Sequence, residues 1–162
     1  MQIFERDLLA LVPRLRRFAR SLAGNAADAD DLVQASLERA LKAREQWTPG
    51  TRLDAWMMRI VRNNWIDEAR ARARRGRTFV DEEAGASVSS DAHYHIEQRA
   101  ELRDLDRALA TLPDEQREVI ALVLVEGFAY REAAAMLDIP IGTLTSRLTR
   151  GRQALVRMLE AA

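Results

Sequence analysis

The sequence predicts an all-α protein made of two small helical domains joined by a flexible linker. Three observations carry this expectation. Apolar residues recur at steps of three and four along most of the chain, the period of a one-sided helix. No stretch alternates apolar and polar residues as a strand would. Residues 76–95, GRTFVDEEAGASVSSDAHYH, interrupt the helical period with Gly, Ser, Ala and acid, and bring little apolar surface to offset the entropy of ordering. At 162 residues, 48% hydrophobic and 31% charged, the chain has enough apolar material to bury a core.

The elements follow in order. A first helix spans 4–22, with Leu8, Leu11, Leu15, Phe18 and Leu22 as its stripe. Pro13 lies inside it and should kink it or mark its true start, because proline removes a backbone donor. Gly24 and Asn25 end it. Asp28 is the expected cap of a second helix, whose stripe is Leu32, Val33, Leu37, Ala40 and Leu41. Thr48-Pro49-Gly50 signals a turn. A third helix runs over 53–75, with Leu53, Trp56, Met57, Ile60 and Val61 inward. After the interruption, a fourth helix over 96–112 carries Leu102, Leu105, Leu109 and Leu112. Pro113 suits the first position of a fifth helix, with Asp114 and Glu115 near the positive end of its dipole. Val119, Ile120, Val123 and Leu124 are its inward residues, and Gly127 stops it.

Residues 128–159, FAYREAAAMLDIPIGTLTSRLTRGRQALVRML, read as a short helix, a tight turn and a longer helix that is basic on one side. Ala133 and Ala134 are small enough to let a second helix cross closely. Asp138 stands where a left-handed residue is needed, and Asp tolerates that conformation. Ile139-Pro140 fits an extended link, since the residue before proline avoids the helical region. Thr143 is the expected N-cap of the second helix. Leu144, Leu148, Leu155 and Leu159 form its stripe, with Gly151 in the crowded slot between, while Arg147, Arg150, Arg152 and Arg157 project elsewhere. Such a unit places its second helix in a DNA major groove. The competing reading is a plain helical hairpin with a solvated basic face.

Net charge is zero, but its distribution is uneven. Residues 1–77 hold 16 basic and 10 acidic side chains, residues 78–98 hold five acids and no Arg or Lys, and residues 99–162 hold nine bases and 10 acids. Lys42 is the single lysine among 25 basic residues, and arginine suits bidentate contacts to phosphate and guanine. A second basic run lies on the third helix: Arg59, Arg62, Arg70, Arg72, Arg74, Arg75 and Arg77, with Trp47, Trp56 and Trp65 close by in sequence. Aromatic rings beside arginines suit single-stranded DNA. Equally, Trp56 fits the buried stripe and the arginines fit a solvated helix end. Asp28, Asp30 and Asp31 open the second helix, where acids interact favourably with the dipole; a partner with a basic groove would account for more of them.

Other classes are disfavoured. The chain has no cysteine, hence no disulfide or thiolate metal site, which fits a reducing, cytoplasmic setting. His93 and His95 are the only imidazoles and read as solvated. No apolar run approaches a membrane span and no secretory signal opens the chain, so membrane insertion is not expected. No nucleophile–base set, glycine-rich phosphate loop or metal cluster marks an enzyme, and no cofactor is expected.

Taken together, the motifs resemble those of the extracytoplasmic-function sigma factors, the minimal bacterial transcription initiation factors. NAADADDLVQASLERAL and LDAWMMRIVRNNWIDEARARARR resemble the family's region two; LPDEQREVIALVLVEGFAYREAAAMLDIPIGTLTSRLTRGRQAL resembles region four. The resemblance implies a region-two domain over 1–77, an acidic linker over 78–98 and a region-four domain over 99–162. It implies that Asp30, Asp31, Leu32, Val33 and Gln34 dock on core RNA polymerase. It places Arg59, Arg62, Asn63 and Asn64 at the melted minus-ten element, with the loop from Trp47 to Arg52 capturing a flipped base. Thr143, Leu144, Ser146, Arg147 and Arg150 fall on the minus-thirty-five recognition helix, and Tyr130 and Arg131 at phosphates. An anti-sigma factor is the further partner it implies. The sequence departs from the family pattern at Ala129, Ala134, Thr145 and Gly151. Alternatives are a sigma-like mimic that sequesters an anti-sigma factor without promoter activity, and an ordinary helix-turn-helix repressor, which would need a dimerisation or ligand domain in place of 1–77.

Overall fold

The computed structural model of the chain describes residues 2–76 and 96–161. The expected flexible linker lies outside these residues except at its last positions, and His93 and His95 lie outside them too. All regular elements among the described residues are helical: α1 (Gln2–Ala23), α2 (Ala26–Lys42), a short 3₁₀ turn (Arg44–Gln46), α3 (Leu53–Arg75), α4 (Ile96–Thr111), α5 (Asp114–Ile120), α6 (Tyr130–Leu137) and α7 (Ile141–Ala161).

In the first half, α1, α2 and α3 pack on one another around Leu15, Phe18, Leu22, Leu32, Met57 and Val61, all fully buried. Helix α1 begins well before Pro13, so proline is not its start. The turns on either side are pinned by buried Leu8 and Leu15, which lets the helix tolerate the missing donor. Gly24, at φ 82°, closes α1 in the left-handed conformation that a glycine adopts freely. Helix α2 is capped by Asn25 rather than Asp28. The Asn25 side-chain oxygen accepts from the Asp28 N–H at 2.9 Å, and its amide donates to the Asp28 carboxylate at 2.8 Å. Asp28 thus stands three residues inside the cap and accepts from its side-chain amide instead of capping the helix itself.

The second half departs from simple helical periodicity at one place. After α5 the chain widens into a π turn over Ala121–Val125. The Glu126 N–H reaches back to the Ala121 carbonyl at 3.0 Å, and the Phe128 N–H to Leu122 at 3.0 Å. The wider turn shifts the phase of the side chains. Ala121 and Leu122 are buried, whereas Leu124, expected inward, is 49% exposed. The same shift turns the Glu126 carboxylate inward until its side chain is sealed from solvent.

Helices α6 and α7 form the turn-linked pair. Asp138 takes the left-handed conformation at φ 54°, ψ 48°, as its position required. Helix α7 starts earlier than the Thr143 cap implied: the Leu144 N–H donates to the Pro140 carbonyl at 3.1 Å, so Thr143 lies inside the first turn. Ala129 precedes α6 without a side-chain oxygen; only the return half of a capping box remains, with Glu132 accepting from the Ala129 N–H at 3.2 Å. Ala133 and Ala134 are buried where α6 meets the core, and Ala134 stays well covered despite its small size.

The two halves do not stand apart. Their buried residues form one continuous core, with α1 against α4, α5 and the π turn, and α3 against α6. Tight packing also explains Gly151. A Cβ there would lie 2.5 Å from Ile120 Cδ1 and 3.4 Å from Gln116 Cβ, and Ile120 is itself buried in the core. Gly142, also in α7, has nothing within 4 Å of such a Cβ. Urea denaturation should therefore separate the two positions. Gly142→Ala raises stability by about 0.5–1 kcal/mol through helix propensity. Gly151→Ala lowers it by about 1–2 kcal/mol, because overpacking outweighs the same propensity gain.

Candidate nucleic-acid interface

Two surfaces carry the residues singled out by sequence. The first is α3 with the loop before it. The 3₁₀ turn delivers Trp47 in an extended conformation, and a turn follows in which the Thr51 hydroxyl donates to the Thr48 carbonyl at 2.6 Å. Gly50 sits at φ 88°, which a side chain would strain. The loop borders an open cleft of about 430 Å³, lined among others by Asp7, Leu11, Arg14, Trp47, Thr51 and Asp54. The Trp47 ring packs 5.5 Å from Phe4, and its Nε1 is buried with no hydrogen-bond partner among the described residues.

Asp54 organises this loop. It accepts from Arg14 at 3.0 Å, from Arg52 Nε at 3.1 Å and Nη2 at 2.8 Å, and from the Ala55 N–H at 2.8 Å. Burial pushes the Asp54 carboxyl up, but the hydrogen bonds from Arg52, Arg14 and Ala55 outweigh it and leave the group below the ordinary carboxylate range.

Along α3 the predicted contact residues divide. Arg59 and Asn63 are exposed one turn apart. Asn64 is occupied: it accepts from Arg39 at 2.6 Å and donates to the Ser36 hydroxyl at 3.1 Å, tying α3 to α2. Arg62 is occupied by the second half, its Nε donating to Glu118 at 2.8 Å. Arg52 likewise pairs with Glu132 of α6 and lies 4.8 Å from the Phe128 ring centroid. Trp65 is only 6% exposed, and the guanidinium of Arg117, from α5, lies 5.6 Å from its ring. Trp56 is half-buried against Phe4.

The second surface is the outer face of α7. Gly142, Thr145, Ser146, Thr149 and Arg150 line a shallow cleft of about 480 Å³ there. Thr145 and Thr149 return their hydroxyls to the helix, donating to the Ile141 and Thr145 carbonyls, each at 2.9 Å. Arg150 is exposed, and Arg147 is partly covered, 3.6 Å from Glu115. Tyr130 and Arg131 are exposed at the start of α6. Leu144 is fully buried; its side chain belongs to the core and holds Thr143 and Arg147 in place rather than reaching outward. On α2, Asp30, Asp31 and Gln34 are exposed, with Asp30 3.6 Å from Arg16. Leu32 and Val33 are buried against α1 and α3 and set the orientation of that acidic face.

Sequence reasoning missed the residues that join the halves. Glu126 is gripped by Arg17 at 2.9 and 2.8 Å and approached by Arg14 at 3.4 Å. Arg20 meets Asp106 at 2.8 Å. Arg117 donates to the Leu22 carbonyl at the end of α1 and to Ala110 and Leu112 at the end of α4, at 2.8–2.9 Å. Burial pulls this guanidinium down, and Asp114 opposes that. A signal was present in the composition, because residues 99–142 carry nine acids against five bases, facing a first half that is net positive. Among the described residues no cluster of side chains could hold a metal ion, and no helix is long and apolar enough to cross a membrane.

Comparison with known proteins bears on both surfaces. Residues 8–75 match the Sigma-70 region 2 family and residues 102–155 match Sigma-70, region 4. The chain is 41% identical over 155 residues to the ECF RNA polymerase sigma factor EcfG of Rhodopseudomonas palustris, covering 94% of this chain and 83% of that protein. It is 32% identical to the RNA polymerase sigma factor CarQ of Myxococcus xanthus, covering 94% and 87%. Among solved structures, the sigma factor RpoE in complex with the anti-sigma factor NepR from Bartonella quintana matches with TM-score 0.81 and 33% identity, over 99% of this chain and 98% of that one. CnrH in complex with the cytosolic domain of CnrY matches with TM-score 0.68 and 28% identity, over 97% and 90%.

The Asp54 environment yields a pH expectation. A carboxyl held below its unfolded value adds stability above about pH 4, and that stability is lost as pH falls through the folded value. In urea titrations between pH 6 and pH 3, Asp54→Asn should lose less stability on acidification than the unaltered chain; equal acid slopes contradict the assignment.

Proposed function

The chain belongs to the extracytoplasmic-function sigma factors of bacterial RNA polymerase, and from that premise we propose that it directs promoter recognition by core polymerase. It is a transcription initiation factor and not an enzyme. In this reading the exposed acids of α2 dock on polymerase. The cleft beside Trp47 receives an unpaired base of the minus-ten element, and Arg59, Arg62 and Asn63 follow the melted strand. The outer face of α7 reads the minus-thirty-five element in the major groove, where each base pair presents a distinct pattern, while Tyr130 and Arg131 contact phosphates. Two weak grips on one DNA combine through effective concentration once polymerase spaces them.

The observation that best supports this reading is the exposed face of Thr145, Ser146, Thr149 and Arg150, presented on a helix whose opposite side is locked into the core by Leu144, Leu148 and Leu155. An anti-sigma partner fits the same picture, since the similar RpoE structure holds the anti-sigma factor NepR, and the CnrH structure holds the cytosolic domain of CnrY. That similarity also suits a sigma-like mimic that sequesters an anti-sigma factor. Run-off transcription with purified core polymerase separates the two, because only a promoter-recognition subunit initiates.

Arg147→Ala tests the duplex-reading surface. Loss of one base contact of about 1–3 kcal/mol should lower run-off transcription about 5- to 150-fold while polymerase pull-down is unchanged. Equal losses in both assays contradict the assignment of Arg147 to DNA.

A further inference from the structure

The outer face of α7 carries two threonines whose hydroxyls serve the helix itself. Thr145 donates to the Ile141 carbonyl and Thr149 to the Thr145 carbonyl, each at 2.9 Å. A hydroxyl has one proton to give, and here each is already given. The only other heavy atom on the β-branch is the methyl. With the oxygen held against the backbone, the methyl is the branch that extends from the helix. Both residues are exposed. Threonine ranks low among helix formers, and at an exposed site no burial offsets that, so helix stability does not account for a pair of them one turn apart. Gly142, three residues before Thr145, adds no side chain to this face, and nothing lies within 4 Å of where its Cβ would stand. Base edges can therefore come close.

Exposed methyl groups offer nothing to a phosphate. They suit the one apolar group that base edges present in the major groove, the C5-methyl of thymine. We propose that Thr145 and Thr149 are specificity-determining residues that read thymine methyls in the minus-thirty-five duplex. The proposal rests on the promoter-recognition reading above. Side chains four apart on a helix stand about 5–6 Å apart and base pairs stack about 3.4 Å apart, so the pair selects two thymines, on either strand, within about two base steps. Threonine is stiff at χ1, and each hydrogen bond fixes it further. The methyls are thus in place before DNA arrives, and little freedom is lost on contact. Arg150, exposed on the same face, supplies charge for phosphate or guanine but does not sense a methyl group. Thr145 stands where this sequence departs from the family pattern, so the selectivity belongs to this chain and not to the family at large. The competing use of the pair is through its oxygens, which keep acceptor lone pairs for an adenine or cytosine amino group.

Core polymerase reconstituted with the full chain, and a promoter library randomised over the minus-thirty-five element, tests this. Selected sequences should hold two thymines within about two base steps. Uracil in their place removes only the methyl groups, and should weaken promoter binding about two- to fivefold for each thymine replaced, the effect of burying one methyl. Thr145→Ser/Thr149→Ser keeps both hydroxyls and should bind thymine and uracil DNA equally. Thr145→Val/Thr149→Val loses the hydroxyls, keeps a methyl at each position and should still prefer thymine. The readout is a ratio between two DNAs, so a misfolded fraction, which weakens both alike, leaves it unmoved. Selected sequences without thymine, a serine variant that still discriminates, or a valine variant that does not, each overturns the proposal. If the reconstituted polymerase initiates from selected promoters and treats thymine and uracil alike, the methyl contact fails alone. If it neither selects nor initiates, the promoter-recognition reading fails and the methyl contact falls with it.

Discussion

Carboxylates sealed from water need a cation, and in this chain the cations come from the other half. The side chain of Glu126 is fully enclosed and that of Glu118 nearly so, and each is met by arginines from α1 or α3. Removing one partner of a buried pair leaves an uncompensated charge, typically at a cost of about 3–5 kcal/mol. The relative placement of the two halves is therefore not adjustable by small slides. Either the arginines of the first half are in place or both acids must return to water together. Arg117 reinforces this by satisfying the carbonyl ends of α1 and α4 with one guanidinium stacked on Trp65.

The π turn makes this possible. One wide turn after α5 changes which side chains face inward, and it is the reason Glu126 lies at the interface while Leu124 faces outward. Wide turns of this kind sacrifice regular helical hydrogen bonding and are found where function needs a particular orientation. Here the orientation is that of a carboxylate toward Arg14 and Arg17. A buried polar group kept in this way contributes specificity of arrangement more than net stability.

The two surfaces differ in how free they are. The α7 face is open: its threonine hydroxyls are returned to the helix and its leucines fix it from behind. The α3 face is divided among an exposed pair, a side chain tied to α2 and two arginines tied to the second half. The outer face of α7 is thus presented to solvent while Arg52 and Arg62 on and before α3 are engaged by carboxylates of the second half.

Much of this was legible in the residues alone. Apolar spacing picked out the buried faces of α1, α2 and α3 except at Leu41, which is 41% exposed; Asp138 and Ile139-Pro140 defined the turn between α6 and α7, and the order of the motifs identified the family. These features depend on near neighbours, and the helical period reports near neighbours directly. Local capping was less legible. Asn25 and Asp28 are both good caps, and only the backbone geometry chose Asn25. Likewise Pro140, not Thr143, precedes α7 because its carbonyl accepts from Leu144. What tertiary structure alone decided was pairing across the chain. Arg62 lies 56 residues from Glu118 and Arg17 lies 109 from Glu126, and no periodicity links residues so distant. Arg62 reads in sequence as a cation facing DNA, and Arg17 as an unassigned base in a net-positive half. Only folding brings them to carboxylates, because the choice of partner depends on which surfaces the core sets face to face.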